Sequence, residues 1–243
     1  MNPPSKTRSY LNRTLLCLPQ EELRRLEPLL TPVKLNVHDT LIGAGEKAEN
    51  AYFLEQGMCS LVVQMKDGST VEVGVIGKES VVGAPAVLGM DHSPNRAFIQ
   101  VAGSGFRINL EDLRVQAERS KQLRSCLQKA IQGLLALTAQ SAACNRIHEL
   151  PERLARWLLT CHDRLESDRM PVTHEFLGMM LGTRRTTVTL AAGTLQKAGL
   201  IAYSRGHVTI ENREGLEDAA CECYASVRDE YRRLGLLDGN PAA

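Results

Sequence analysis

The chain has 243 residues, 43% hydrophobic and only 4% aromatic, a size that suits one large or two small domains around a core of ordinary extent. With 29 Lys and Arg against 28 Asp and Glu the formal net charge is +1, which excludes a polybasic coat or an acidic tail but not a local basic patch. No apolar run approaches the ~20 residues that cross a bilayer, and residues 1–10 lack the apolar stretch of a secretory signal, so a soluble, cytoplasmic chain with no membrane partner is expected.

In chain order, residues 19–30 are predicted to form a short helix, with Leu23, Leu26 and Leu30 at helical spacing. From Val33 to about Leu110 the texture changes to short apolar runs punctuated by glycine: Ala51 to Leu54, Ser60 to Val63 and Thr70 to Ile76. Lys66-Asp67-Gly68-Ser69 between two of these runs is a hairpin signal, because Asp-Gly tolerates the positive φ of a tight turn. Strands at intervals of about ten residues suggest a β-sandwich or jelly roll.

After Leu110 the glycines thin out and a long helical stretch is predicted to His148. Leu123, Leu127, Ala130, Leu134, Leu137 and Ser141 recur at three- and four-residue steps and form one narrow apolar stripe. At about 1.5 Å per residue such a helix is longer than one small β domain needs to cover itself. Its stripe is therefore expected to be a parallel dimer seam, internal packing being the alternative. Pro151 interrupts the pattern, and residues 152–164 resume as a helix with Leu154, Trp157, Leu158 and Cys161 inward. The boundary between a β-rich unit and a helical unit falls near residues 145–151.

The most informative stretch is residues 172–210. Thr173 is positioned to cap a short helix carrying Phe176, Leu177 and Met180, Gly182 permits a sharp turn, and Thr183 is positioned to cap a second helix running to about Lys197. Val188, Ala191, Ala192 and Leu195 face inward there, which leaves Arg184, Arg185, Thr186, Thr187 and Thr189 near the exposed beginning. Two short helices about a glycine turn make a helix-turn-helix, whose second helix enters a DNA major groove N-terminus first. Arg offers the fork that matches guanine O6 and N7, and Thr reaches a phosphate oxygen or a thymine methyl. Gly199 to Ile201 and Ser204 to Ile210 then read as two strands around a basic tip at Arg205, a wing suited to phosphates. From 172 to 210 there are four basic residues (Arg184, Arg185, Lys197, Arg205) and one acidic (Glu175), a local excess suited to DNA. The bland reading of the same residues is a helical hairpin with solvated arginines.

The order of β-roll, long helix and winged helix resembles the Crp/Fnr family of bacterial transcription regulators. The likeness covers about residues 15–215 and is most specific in Pro151-Glu152-Arg153-Leu154-Ala155-Arg156-Trp157-Leu158-Leu159 and in the helix-turn-helix through Leu200-Ile201. It implies an α+β fold: a jelly-roll β domain related to cyclic-nucleotide-binding domains at 15–115, a dimerisation helix at 116–148, and a winged helix-turn-helix at 149–236. It also implies a homodimer that binds a pseudo-palindromic operator and contacts RNA polymerase. Arg185 and Thr187 match positions the family uses in the groove, and Thr173 a backbone contact. Thr186 and Leu190 depart from the Glu and Arg of the cyclic-AMP receptor type, so a different operator is expected.

The same resemblance frames the sensor. The family's phosphate cassette corresponds to Gly83-Ala84-Pro85-Ala86-Val87-Leu88 and Asn95-Arg96-Ala97-Phe98. Arg96 is retained, but Ala84 stands for the Glu and Ala97 for the Ser, and the long helix carries Thr138-Ala139 where the sensor type has Thr-Ser. Gly83, Arg96 and Thr138 are the candidate effector residues for a small molecule yet to be identified. Control by cyclic AMP is not expected, and Arg96 is also readable as a structural residue.

Cysteines occur at 17, 59, 126, 144, 161, 221 and 223, an odd, scattered set without CxxC spacing. Free, mostly buried thiols are expected, with no cofactor and no metal, and Cys221 and Cys223 are expected on different faces of a helix. Cys17 and Cys59 are too few for the iron–sulfur cluster of the oxygen-sensing branch. His38 and His92 lack the HxH grouping of a cupin-like enzyme, and no Ser-His-Asp or Cys-His arrangement is visible, so catalysis is not expected. A ligand-binding protein-interaction module with a degenerate winged helix is the stronger rival. Residues 214–236 read as one more amphipathic helix packed on the winged helix, with 238–243 frayed.

Overall fold

The structure, a computed structural model, describes residues 9–90 and 92–238. The buried Asn12 organises the first segment. Its Oδ1 accepts from the Thr14 and Leu15 amides and caps helix α1 (Arg13–Leu16), while its Nδ2 donates to the Leu54 and Ser80 carbonyls of the β unit. Helix α2 (Gln20–Leu26) ends four residues earlier than the spacing predicts, in a 3-10 turn over Glu27–Leu29. Pro28 has no N–H to continue the ladder and would strike the carbonyl one turn back.

Strands β1 (Thr31–Leu35), β2 (Thr40–Ile42), β3 (Asn50–Gln64), β4 (Thr70–Ile76), β5 (Val81–Val82) and β6 (Arg96–Asn109) pair antiparallel in the order β1-β6-β3-β4. β2 joins β6, and β5 joins β3. The runs read as separate strands at 51–54 and 60–63 are one 15-residue strand. Its register slips against β6 between Leu54 and Cys59, and Gly57 at φ +85° bends it there without ending it. The expected Lys66 to Ser69 hairpin joins β3 to β4, with Asp67 Oδ1 accepting from the Ser69 amide at 2.9 Å.

Two helices replace the single predicted stretch from 110 to 148. Helix α3 (Leu110–Arg119) and helix α4 (Lys121–Ile147) are parted by Ser120, whose hydroxyl accepts from the Leu123 amide. The apolar stripe of α4 is not a dimer seam. Leu123, Leu127, Ala130 and Leu137 are buried within the chain, and Leu134 lies against Gly74 of β4. Periodicity reported a buried face correctly but not what covers it. The outward face of α4 carries Gln128, Leu135, Ala139 and Ala142 instead.

Helix α5 (Leu150–Leu165) begins with Pro151 in its first turn and a reciprocal Glu149–Glu152 capping box, so Pro151 opens a helix as well as closing the one before. Then follow β7 (Arg169–Pro171), α6 (His174–Leu181), α7 (Arg185–Lys197), β8 (Ile201–Ser204), β9 (His207–Ile210), α8 (Arg213–Ala219) and α9 (Cys223–Arg233). β7 was not anticipated; it pairs with β9 and makes the wing three-stranded. The single helix expected over 214–236 is broken at Ala220, which is extended at ψ 150°. Helix α9 packs on α4 at Gly133, where a Cβ would lie 2.7 Å from Leu236 Cδ1 and 3.3 Å from Tyr231 Cζ. Asp238 is ion-paired with Arg13 rather than frayed, and residues 239–243, also expected to fray, lie outside the described residues.

The cysteines correct the expectation twice. Cys17 and Cys126, which are 109 residues apart, form a disulfide that joins the end of α1 to α4. The other five are free and buried, as expected, but Cys221 and Cys223 do not diverge, because Cys221 lies in the break before α9.

The two units share one interface. Glu79, 2% exposed, faces Arg164 of α5 at 2.8 Å and also accepts from the Gly77 amide. Arg164 donates further to the Thr160 carbonyl and sits over the Tyr231 ring. Nearby, Trp157 Nε1 donates to Glu72 Oε1 at 2.7 Å, and Met58, Val62, Val75 and Phe98 of the β unit join the core of the helical unit.

Glu79→Ala leaves the Arg164 guanidinium buried and unpaired, and is expected to cost about 3–5 kcal/mol in urea unfolding followed through Trp157 fluorescence. Burial pushes the Glu72 carboxyl up to about 7 from its ordinary 4.5, against the lowering hydrogen bond of Trp157. The folded chain therefore keeps a proton that the unfolded chain has released. This contribution is full below pH 4.5 and is lost as pH rises to 7. Glu72→Gln is expected to flatten that part of the stability profile.

Candidate nucleic-acid interface

Thr173 caps α6 through an Oγ1 that accepts from the Phe176 amide at 3.1 Å. Gly182 ends the helix at φ +62°, a conformation in which a side chain would be strained, and so makes the sharp turn. The second helix starts one residue later than Thr183 suggested: its cap is Arg184, which makes no side-chain capping bond. The start of α7 thus lacks a side-chain cap from its own N-cap residue, and a helix N-terminus of this kind favours an anion. Val188, Ala191, Ala192 and Leu195 are buried as expected.

Arg184, Arg185, Thr186 and Thr187 are exposed together at this open N-terminus. Thr183 is half-buried in the turn, its amide bonded to the Gly178 carbonyl. Thr189 is exposed but engaged. Its hydroxyl donates to the Arg185 carbonyl at 3.0 Å and meets His174 Nδ1 at 3.0 Å. Arg205 stands exposed at the wing tip with φ +49°, followed by Gly206 at +76°, the pair of positive φ values that closes a two-residue hairpin. Thr173 lies across from that tip, its Cγ2 3.6 Å from where a Gly206 Cβ would sit.

Two features of this surface were not read from the sequence. His174 stacks on Tyr203 of the wing at a 4.0 Å centroid distance, so one ring links α6, α7 and β8. Burial, and then the charge of Arg185, hold its pKa below the usual histidine value. Arg153 of α5 donates to the Leu181 carbonyl at 2.6 Å and ties the end of α6 to the helix beneath. Leu190 is 74% exposed, one turn beyond Thr186 on the outward face of α7. Its groove position was legible from the sequence, and the fold leaves it uncovered among the described residues.

The candidate effector residues are not brought together. A cavity of about 270 Å³ in the β-roll is lined by Gly83, Leu61, Val82, His92, Ala97 and Leu134, among others, with no Arg or Lys among the described residues that line it. Arg96 points elsewhere, donating to Thr40 Oγ1 at 3.0 and 3.2 Å and lying over the Phe98 ring. Adjacent strand residues face opposite ways, so with Ala97 in the cavity wall Arg96 is carried to the other side. Thr138 donates to the Val73 carbonyl at 2.9 Å. Only Gly83 of the three lines the cavity. Among the cysteines of the N-terminal unit, Cys17 is bonded to Cys126 and Cys59 is buried, its thiol pushed up by burial.

Residues 152–219 match the family model of the Crp-like helix-turn-helix domain, and residues 32–120 that of the cyclic nucleotide-binding domain. The fumarate and nitrate reduction regulatory protein of Escherichia coli is 23% identical over 217 residues, covering 84% of this chain and 86% of its own. FixK2 from Bradyrhizobium japonicum superposes with a TM-score of 0.67 at 20% identity, over 79% of this chain and 98% of that one. A Crp/Fnr-family transcriptional regulator from Thermus thermophilus gives 0.66 at 20% identity, over 78% and 98%. The β-roll, the capped α5 and the winged helix-turn-helix with its open basic N-terminus thus occur in the order and at the positions these matches define, and the chain belongs to the Crp/Fnr family of DNA-binding transcriptional regulators.

Proposed function

We propose that the chain acts as a homodimer that reads a pseudo-palindromic operator with its two α7 helices and acts there on RNA polymerase, by binding rather than catalysis and without cyclic AMP as its signal. The observation that carries this reading is the joint exposure of Arg184, Arg185, Thr186 and Thr187 at the uncapped start of α7, beside Arg205 of the wing. Arg185 supplies the fork for guanine, while Thr186 and Leu190 offer methyl groups to thymine. Thr173, Thr183, Arg184 and Arg205 bind phosphates and set the register. Thr189, held by His174, fixes the pitch of α7 against α6. Such a reader of chromosomal DNA works in the cytoplasm.

The dimer forms through the outward face of α4, where Leu135, at 60% exposure, is followed one and two turns on by Ala139 and Ala142. A two-fold axis along that face lets each residue meet its own copy. The cavity under Gly83 takes a small, weakly polar effector. A cyclic phosphate entering a pocket without Arg or Lys would lose its water and gain no charged partner.

Selection of bound sites from a random duplex pool, with and without cyclic AMP, tests the reading. Both arms are expected to return one palindrome with half-sites about 34 Å apart. Arg185→Ala is expected to lose about 5- to 150-fold in preference at the guanine it reads while keeping weak binding to any duplex. Equal weakening on every sequence would assign Arg185 to phosphate, enrichment only with cyclic AMP would overturn the pocket assignment, and no enrichment in either arm would favour a protein-interaction module. Leu135→Glu is expected to sediment as a monomer, since a two-fold seam would set the two carboxylates against each other. A variant that stays dimeric would move the seam off this face.

A further inference from the structure

The last turn of α4 and the break between α8 and α9 converge on four side chains that DNA binding does not use. Cys144 and His148 are four residues apart and share one face of the helix end. Cys221 lies in the break after α8, and Cys223 is the first residue of α9. Their donor atoms, three Sγ and one imidazole nitrogen, all lie within 4.8 Å of one another. Cys144 Sγ is 3.5 Å from Cys221 Sγ, and Cys223 Sγ is 3.6 Å from His148 Nδ1. All three cysteines are buried, and His148 is half-buried.

We propose that Cys144, His148, Cys221 and Cys223 form a structural site for a single zinc ion. Tetrahedral zinc, with bonds of about 2.3 Å to sulfur and about 2.0–2.1 Å to nitrogen, sets neighbouring ligand atoms about 3.5–3.8 Å apart. The Cys144–Cys221 and Cys223–His148 spacings match that figure. An iron–sulfur cluster spreads its four ligands over two or more irons and would need part of the set further apart than one ion does. Three soft thiolates with one imidazole also select zinc over calcium or magnesium, which take oxygen ligands.

The surroundings are those of ligands already aimed. His148 Nε2 is held by the Glu222 carboxylate at 3.1 Å, which puts the proton on that nitrogen and leaves the Nδ1 lone pair facing the thiols. A carboxylate behind a ligating histidine fixes its tautomer and raises its basicity. Gln140, one turn before Cys144 on α4, donates from Nε2 to Cys223 Sγ at 3.1 Å. Glu222 and Gln140 are thus both used by the cluster, and the residue between the two cysteines has a reason to be acidic.

The site joins segments 77 residues apart. Closing it pins the end of the long helix to the C-terminal helix across the whole winged-helix sequence, so the ion sets how the DNA-reading unit is carried on α4. Its contribution to folding arises because the four donors are dispersed in the unfolded chain.

The test uses the full chain purified without a metal-affinity tag, under reducing, anaerobic conditions, with metal content measured by mass spectrometry. About one zinc per chain is expected, falling at least tenfold in Cys221→Ser and in Cys223→Ser. Cobalt(II) added to the zinc-stripped wild type provides a readout that needs no variant. Thiolate-to-cobalt charge transfer with the strong visible bands of a tetrahedral ion is expected, and zinc should abolish both. Chelation is expected to lower the Tm of the wild type and leave that of Cys221→Ser unchanged. Substoichiometric zinc together with no cobalt–thiolate band would overturn the proposal. So would iron with acid-labile sulfide, or a Cys144–Cys221 disulfide in the freshly prepared protein.

Discussion

Arg164 is a cation with almost no water. It is held in α5 by its own helix, covered by the Tyr231 ring and answered by Glu79 from the β unit. Neither charge tolerates that position alone, so each unit presents a group whose burial is acceptable only when the other is docked. This makes the placement of the helical unit on the β-roll specific as well as apolar. The strand residues that join the core of the helical unit supply area, and the ion pair, with the Trp157–Glu72 bond beside it, supplies registration.

From that platform the reading surface is built by successive supports. Arg153 of α5 holds the end of α6, Thr173 and Gly182 bound α6, and His174 connects α6 to α7 and to the wing. Each uses a short polar contact at an element end, where helices leave backbone groups unpaired. Arg184, Arg185, Thr186 and Thr187 stay exposed at the start of α7, and that exposure is what makes them available to a duplex.

What was legible in the sequence was local. The Asp67-Gly68 hairpin, the glycine turn at 182 and the inward set of α7 depend on residues a few positions apart, and all appear where the pattern put them. The exposure of Arg184, Arg185, Thr186 and Thr187 was legible because helical phase decides whether they are covered, and that of Arg205 because a hairpin tip lies in solvent. The stripe on α4 shows the limit: period 3.6 reports that a face is buried and is silent on whether the β-roll or a second chain buries it. Arg96 was drawn toward the effector by a motif, and strand alternation turned it away. The Cys–His cluster was invisible because its halves meet only after the C-terminal helix folds back on α4. The break at Ala220 that aligns Cys221 with Cys223 carries no proline or glycine to announce it.

Gly133 eases that fold-back, since a Cβ there would meet the end of the Leu236 side chain at 2.7 Å and the Tyr231 ring of α9 at 3.3 Å. One missing carbon thus sets the separation of two helices at mid-length, and the four donors at their far ends inherit it. Metal–ligand distances tolerate only about 0.2 Å, so even a small shift of the Tyr231 ring away from an added Cβ would be felt there. A substitution at Gly133, conservative by every measure of polarity, would therefore act as a mechanical spacer between α4 and the C-terminal segment.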